Sequence, residues 1–263
     1  MRVPQAKSLR RRKIRIKLLA AHTLMGVDSQ KHLLPGAIRR RSRTMSINVV
    51  VDISHHNGNV DLGKAQAAGI VGVIQKATQG TSMTDNMYDR NRQKAVAAGL
   101  LWGAYHFGTQ ADGTAQADFF LSKVNADEQT LLVLDYEPNG NSTMTLDQAR
   151  AFVSRIKDVT GRFPGFYSGS LIKQQLGGKP ADPVLTQCFL WIAQYGPAPK
   201  DIPATWPTWT MWQYTDGNVG PQPHSVDGIG NCDRDQFNGT IEQLQQLWGV
   251  ATAVVGGAAG AIE

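Results

Sequence analysis

The chain has 263 residues, 41% hydrophobic and 18% charged, with two cysteines and a formal net charge of +6 at neutral pH. That length and apolar share suit a globular chain with a sizeable core, in one large α/β domain or two small ones, and two cysteines exclude a disulfide scaffold and a cysteine-built metal site. The net charge hides an asymmetry: residues 1–45 carry 13 Lys or Arg against the single acid Asp28, while the remainder holds 14 basic and 20 acidic residues.

The basic head contains R-R-R-K-I-R-I-K (10–17) and R-R-R-S-R (39–43), with little aromatic content and no sustained apolar period. It is expected as a disordered or weakly helical extension. Charge alone would let it touch nucleic acid, anionic lipid or an acidic wall polymer. No helix-turn-helix, zinc spacing or aromatic-basic interleaving accompanies it, so no nucleic-acid partner is expected. The stretch I-K-L-L-A-A-H-T-L-M-G-V, broken by Lys17 and His22, is a weak candidate for a secretory signal.

From residue 46 onward, apolar runs alternate with helix-period stretches, the pattern of parallel strands joined by crossover helices. Residues 48–53 read as the first strand, with Asp52 closing the apolar part of V-V-V-D-I-S, and D-L-G-K-A-Q-A-A-G as a short helix stopped by Gly69. V-G-V-I-Q-K-A (71–77) is the second strand, a helix around 86–98 ends at Gly99, and L-W-G-A-Y-H-F (101–107) is the third strand. A helix of about 112–125 precedes the fourth.

The fourth strand carries the strongest chemical signal, because L-V-L-D-Y-E-P (132–138) ends an apolar run in Asp135 and Glu137. Strand side chains alternate faces, so both carboxylates should emerge together where the strand stops. Like charges held that close disfavour double ionisation and leave a protonated acid beside an ionised partner, the pairing that glycosidic bond cleavage requires. Acids also end strands as turn formers or helix caps. Repetition favours chemistry here, since Asp52 and the Asp233 of N-C-D-R-D-Q-F (231–237) mark two further strand ends.

Residues 145–159 read as a helix with Thr145 as its N-cap, G-F-Y-S (165–168) as the fifth strand and L-I-K-Q-Q-L (171–176) as a short helix. F-L-W-I-A-Q-Y (189–195), W-T-M-W-Q-Y (209–214) and a segment near 229–237 are strand-like, but Pro197, Pro199, Pro203 and Pro207 leave no room for full helices between them. Eight strands with about five helices predict an α/β fold: a β/α barrel at 46–249 whose last third lacks outer helices, with a final helix at 239–248 and no second domain. The apolar tail at 250–263 is shorter than the roughly 20 residues of a membrane-spanning helix, so no transmembrane segment is predicted.

Active sites of such barrels sit at the C-terminal strand ends. This reading places Asp52, Lys76, His106, Asp135, Glu137, Tyr167, Gln194, Gln213 and Asp233 there. Cys188 and Cys232 are expected as buried free thiols, a disulfide being the alternative if their strand ends adjoin. No clustered Cys/His spacing appears, so neither a catalytic metal nor a cofactor is expected.

In order, V-D-I-S-H-H-N-G, G-A-Y-H-F, the L-D-Y-E pair, F-Y-S-G, L-W-I-A-Q-Y, M-W-Q-Y-T-D-G and G-N-C-D-R-D-Q-F-N-G resemble the family 25 glycoside hydrolases, the lysozyme-like muramidases of bacteria and their phages. The resemblance covers about residues 48–248. It implies a flattened, TIM-barrel-like β/α barrel that hydrolyses the β-1,4 bond between N-acetylmuramic acid and N-acetylglucosamine in bacterial peptidoglycan. By position, Glu137 resembles the general acid. Asp135 resembles its partner, which stabilises positive charge or orients the acetamido group, and Asp52 and Asp233 match the other acids of the groove. The sequence departs from the family at Cys232, Arg234 and Asp235, which stand where an apolar residue, another apolar residue and Asn are commoner; Asp235 is therefore the alternative to Asp233.

Tyr105, Tyr167, Trp191, Trp212 and Tyr214 are candidate platforms for sugar rings, each with core packing as the competing explanation. Lys76, Gln194 and Gln213 complete the expected substrate-binding set, and His106 is expected as a hydrogen-bonded structural histidine. The likeness and the close D-x-E pair imply net retention, with the substrate acetamido oxygen or an enzyme carboxylate as nucleophile. The rival readings are a chitinase-like β-1,4-N-acetylglucosaminidase and a catalytically silent wall-binding module. A monomer acting on the bacterial wall is expected, either extracellular or periplasmic, released through a phage pore or carried on a virion.

Overall fold

A computed structural model describes residues 46–250; the basic extension expected at 1–45, and the tail from residue 251, lie outside the described residues. β1 (Ile47–Ile53), β2 (Gly72–Gln79), β3 (Leu101–Phe107), β4 (Thr130–Asp135), β5 (Gly165–Ser168), β6 (Leu190–Ala193) and β7 (Met211–Thr215) follow one another, each parallel to its predecessor. β8 (Asp233–Phe237) closes the ring and runs antiparallel to both β7 and β1. The sequence pattern predicts parallel strands, and the last strand departs from it. No helix separates β7 from β8, whose connection carries only a two-residue ladder between Ser225–Val226 and Gly230–Asn231. Without a crossover helix the chain returns in the opposite sense.

Six α-helices are described, each at a stretch the sequence pattern marks as helical: α1 (Leu62–Ala67), α2 (Tyr88–Ala97), α3 (Gly113–Lys123), α4 (Leu146–Thr160), α5 (Ser170–Leu176) and α6 (Ile241–Leu247). Their starts are set by side chains that accept otherwise unpaired backbone N–H groups. Asp61, Asp112, Thr145 and Thr240 cap α1, α3, α4 and α6, and the last two form capping boxes with Gln148 and Gln243. No α-helix lies between β6 and β7, the stretch that holds the four prolines. No helix among the described residues is long and apolar enough to cross a membrane.

Strand alternation builds two cores. Outward residues such as Val51, Val73, Trp102, Leu134, Phe166, Ile192 and Trp212 pack with the helices, whereas Val50, Ile74, Leu131, Val133, Met211 and Phe237 meet inside the barrel. α6 crosses beneath the barrel and plugs it with Leu244 and Trp248. Trp248 is fully buried, and its Nε1 donates to the Trp102 carbonyl at 2.9 Å. Gly165 has no side chain to spare in this floor, because a Cβ there would stand 2.2 Å from the Phe189 ring. His106 lies in the outer layer, its Nδ1 2.7 Å from Thr78 Oγ1 and its ring stacked on Phe152, and burial lowers its pKa to about 4. Cys188 and Cys232 are buried free thiols.

The apolar plug therefore decides which end of the barrel is closed. Trp248→Ala is expected to destabilise the protein by about 3–5 kcal/mol, read as a lower urea midpoint with an unchanged slope.

Candidate active site

Above the apolar floor the inward positions become polar, and a cavity of about 170 Å³ opens between them. Four acids line it. Asp52 comes from β1, Asp135 is the last residue of β4, and Glu137 follows two residues on. The Tyr136 N–H still bonds the Tyr167 carbonyl at 2.9 Å, so the extended backbone continues past the formal strand end. Tyr136 accordingly turns outward into the helix layer while Asp135 and Glu137 both face the cavity.

The fourth acid, Asp233, reaches the rim by a different route from the one expected. It is the first residue of β8, and because β8 is antiparallel its start lies where the other strands end, with Asp233 opposite Asp52 in register. Asp235 points inward two residues deeper and is completely buried. The cavity wall is completed by Tyr105, Tyr167, Trp191, Tyr195 and Gln213.

Gln213 organises one wall. Its Oε1 accepts the hydroxyls of Tyr167 at 2.8 Å and Tyr195 at 2.9 Å, and its Nε2 donates to Asp52 Oδ2 at 2.9 Å. Trp191 Nε1 donates to Asp235 Oδ1 at 2.7 Å beneath it. On the opposite wall, Asp135 Oδ1 is buried with no hydrogen-bond partner among the described residues. Lys76 lies near this pair; its Nζ donates to Gln79 Oε1 at 2.8 Å and sits 4.8 Å from the centre of the Phe107 ring.

Burial in a cup of like charges moves every one of these acids the same way. Burial, then Glu137, pushes the Asp135 carboxyl well above the ordinary carboxylate range, with Lys76 partly offsetting. Burial also raises Glu137, against the nearby Tyr167 hydroxyl and the charge of Lys76. Asp52 is raised well above its usual value by burial and by Asp233 and Asp235. Asp233 is raised to about 6, chiefly by burial. Both carboxyls are raised, so near neutral pH the arrangement can supply a proton and a negative charge to one small space.

Three residues of the expected substrate-binding set face elsewhere. Gln213 takes the inward position on β7, so Trp212 and Tyr214 on either side of it turn outward: Trp212 Nε1 donates to the Gln194 carbonyl at 2.7 Å and the Tyr214 hydroxyl to the Pro223 carbonyl at 2.9 Å. The Gln194 side chain braces its own loop, accepting from Lys173 Nζ and the Lys200 N–H. Tyr195 was not among the expected residues. Its signal is parity, since Trp191, Ala193 and Tyr195 are successive residues of one strand face.

Residues 51–222 match the model of a family described as glycosyl hydrolases family 25. That stretch holds Asp52, Asp135 and Glu137 and ends before Asp233. The chain is 33% identical over 213 residues to lysozyme M1 of Streptomyces globisporus, covering 75% of this chain and 70% of that one. It is 30% identical over 213 residues to N,O-diacetylmuramidase of a Chalaropsis species, covering 74% of this chain and 96% of that one. Among solved structures, the bacterial lysozyme from Streptomyces coelicolor is similar with a TM-score of 0.67 at 32% identity, covering 78% of this chain and 99% of the other.

The raised acids make stability depend on pH in a definite direction. Asp233 titrates at about 6 when folded and near ~3.9 when unfolded, so the folded state takes up the proton first as pH falls. The cost of its ionised form is full above pH 6 and gone below about 4. Asp233→Asn should raise the melting temperature at pH 8, and the gain should vanish at about pH 4.

Proposed function

Because the chain belongs to glycosyl hydrolases family 25 and is a lysozyme-type hydrolase acting on peptidoglycan, we propose that it cleaves the β-1,4 bond between N-acetylmuramic acid and N-acetylglucosamine with Glu137 as general acid. The observation that carries the residue assignment is the shared cavity of Asp135 and Glu137, both held above the ordinary carboxylate range by burial. Glu137 is the half-buried member, on the open side, and so the one able to reach a glycosidic oxygen.

In this reading Glu137 gives its proton to the leaving oxygen while positive charge develops at the anomeric carbon. Asp135 carries the compensating charge. Lys76 interacts more strongly with Asp135 than with Glu137, which favours the ionised form at Asp135 and leaves the proton to Glu137. The deeper burial of Asp135 pulls the other way, and an acetamido N–H of the bound sugar donated to Asp135 restores the balance. The acetamido oxygen so oriented, or an enzyme carboxylate, then bonds the anomeric carbon as the glycosidic bond breaks, and a water that gives its proton to the now ionised Glu137 displaces it, so that the product keeps the β configuration. Asp52 and Asp233 form the negative wall across the cavity, and Tyr105 and Tyr195 supply flat surfaces against which sugar rings stack, backed by the buried Tyr167 and Trp191.

Glu137→Gln is expected to lower reducing-end release from purified peptidoglycan by about 10²–10⁴-fold while the variant still sediments with wall sacculi. Unchanged hydrolysis would remove Glu137 from the chemistry, and loss of binding together with activity would point to a structural role. Wild-type enzyme should release reducing ends from peptidoglycan and not from chitin, and proton NMR of the first-formed product should show the β-anomer. A predominant α-anomer would rule out retention.

A further inference from the structure

We propose that Asp235 is a positioning residue that shares a single proton with Asp52, so that the two side chains together bear one negative charge and lock the wall facing Asp135 and Glu137. The inference rests on the reading of the cavity as a glycosidase site, and it concerns a residue that does not line that cavity. Asp235 lies on the inward face of β8, in register with Gln213 on β7, and is completely buried. Its Oδ1 accepts the Trp191 N–H at 2.7 Å, but its Oδ2 is buried without a donor.

Two observations make an ionised Asp235 beside an ionised Asp52 untenable. No cation is paired with either carboxyl: Arg234, next along β8, turns its guanidinium to the Ser225 carbonyl at 2.7 Å and to Asn48 Oδ1 at 3.3 Å, and its charge is the weakest of the influences on Asp235. The other titratable groups around Asp235 are the acids Asp52 on β1 and Asp233 on its own strand, with the Tyr214 hydroxyl and the Cys232 thiol, none of which is a cation at neutral pH. A buried carboxylate with a single neutral hydrogen bond and a second carboxylate as neighbour is strongly disfavoured.

One proton removes both difficulties. Asp52 and Asp235 are neighbours, since Gln213 donates to Asp52 and stands in register with Asp235, which lies two residues along β8 from the partner of Asp52; two bare carboxylates there cannot bond each other, since both only accept. With a proton between them the unpaired Oδ2 acquires a partner, and Asp52 is held from two sides, by Asp235 and by Gln213 Nε2. Gln213 in turn accepts from Tyr167 and Tyr195. A continuous chain of bonds thus runs from Trp191 through Asp235, Asp52 and Gln213 to the two phenols, and it fixes both the charge and the shape of that wall. The displacement of both carboxyls above their ordinary range, by burial first, is in the same direction.

Asp235→Asn and Asp235→Leu test this in the full chain, with Glu137→Gln as the control for the catalytic reading. An amide keeps a donor toward Asp52 and leaves the pair with one negative charge, whereas leucine removes the partner. Asp235→Leu takes that donor from Asp52 and should move the Asp52 titration, read by carbon-13 NMR, upward by about one pH unit, and Asp235→Asn should restore it. The infrared difference between wild type and Asp235→Asn at pH 7 should show loss of one protonated carboxyl band, a readout independent of activity and of Asp235→Leu folding. Loss of an ionised carboxylate band instead, or an Asp52 titration that Asp235→Leu leaves unchanged, would overturn the shared proton. Wall hydrolysis that is lost in Glu137→Gln would still leave the catalytic reading standing, so the two ideas fail separately.

Discussion

Five carboxyl groups, those of Asp52, Asp135, Glu137, Asp233 and Asp235, crowd the open end of one barrel, and Lys76 is the cation whose charge reaches Asp135 and Glu137. In a poorly solvated cup they cannot all be ionised, because each charge costs desolvation and raises its neighbours. Protons must therefore stay bound at pH values where exposed acids have lost them. This constraint turns an ordinary set of aspartates and a glutamate into a reservoir of acid and base, and the chemistry of the site follows from it.

The barrel creates the constraint by separating its two ends. At one end α6 presses Leu244 and Trp248 against Val50, Ile74, Leu131 and Met211 and closes the interior with apolar side chains. At the other, the same strands run on by two or four residues and the same inward parity delivers Asp52, Lys76, Asp135 and Gln213. Hydration can enter only from that side, so inward depth sets how strongly each acid is perturbed: Asp235 at the bottom is shut off from water, while Glu137 at the top is half-exposed. The antiparallel β8 adds the last two acids by entering from the rim and descending, so its first inward residue, Asp233, is shallow and its second, Asp235, deep.

Much of this was legible in the residues themselves. The D-x-E spacing at the end of an apolar run specifies two carboxylates on one face, and Tyr136 between them turns outward as the alternation demands. The helix start at Thr145 follows from local capping chemistry. Aromatic character was a poorer guide than parity: Trp212 and Tyr214 flank the inward Gln213 and so belong to the outer layer, whereas Tyr195 shares the face of Trp191. The direction of β8 was not readable, because strand residues specify pairing partners and faces but not the sense of the chain when no helix intervenes. The shared environment of Asp52 and Asp235 was hidden for the same reason, since it depends on register between strands almost two hundred residues apart.

The central claim is that the acids at the open end hold protons collectively. Carbon-13 NMR titration of the Asp and Glu side-chain carboxyls in the wild-type protein measures this site by site. Asp135 and Glu137 should titrate in two linked steps, the upper one above the ordinary carboxylate range, with Asp233 changing at about 6. Single, independent transitions for all of these residues near ~4 would contradict the account.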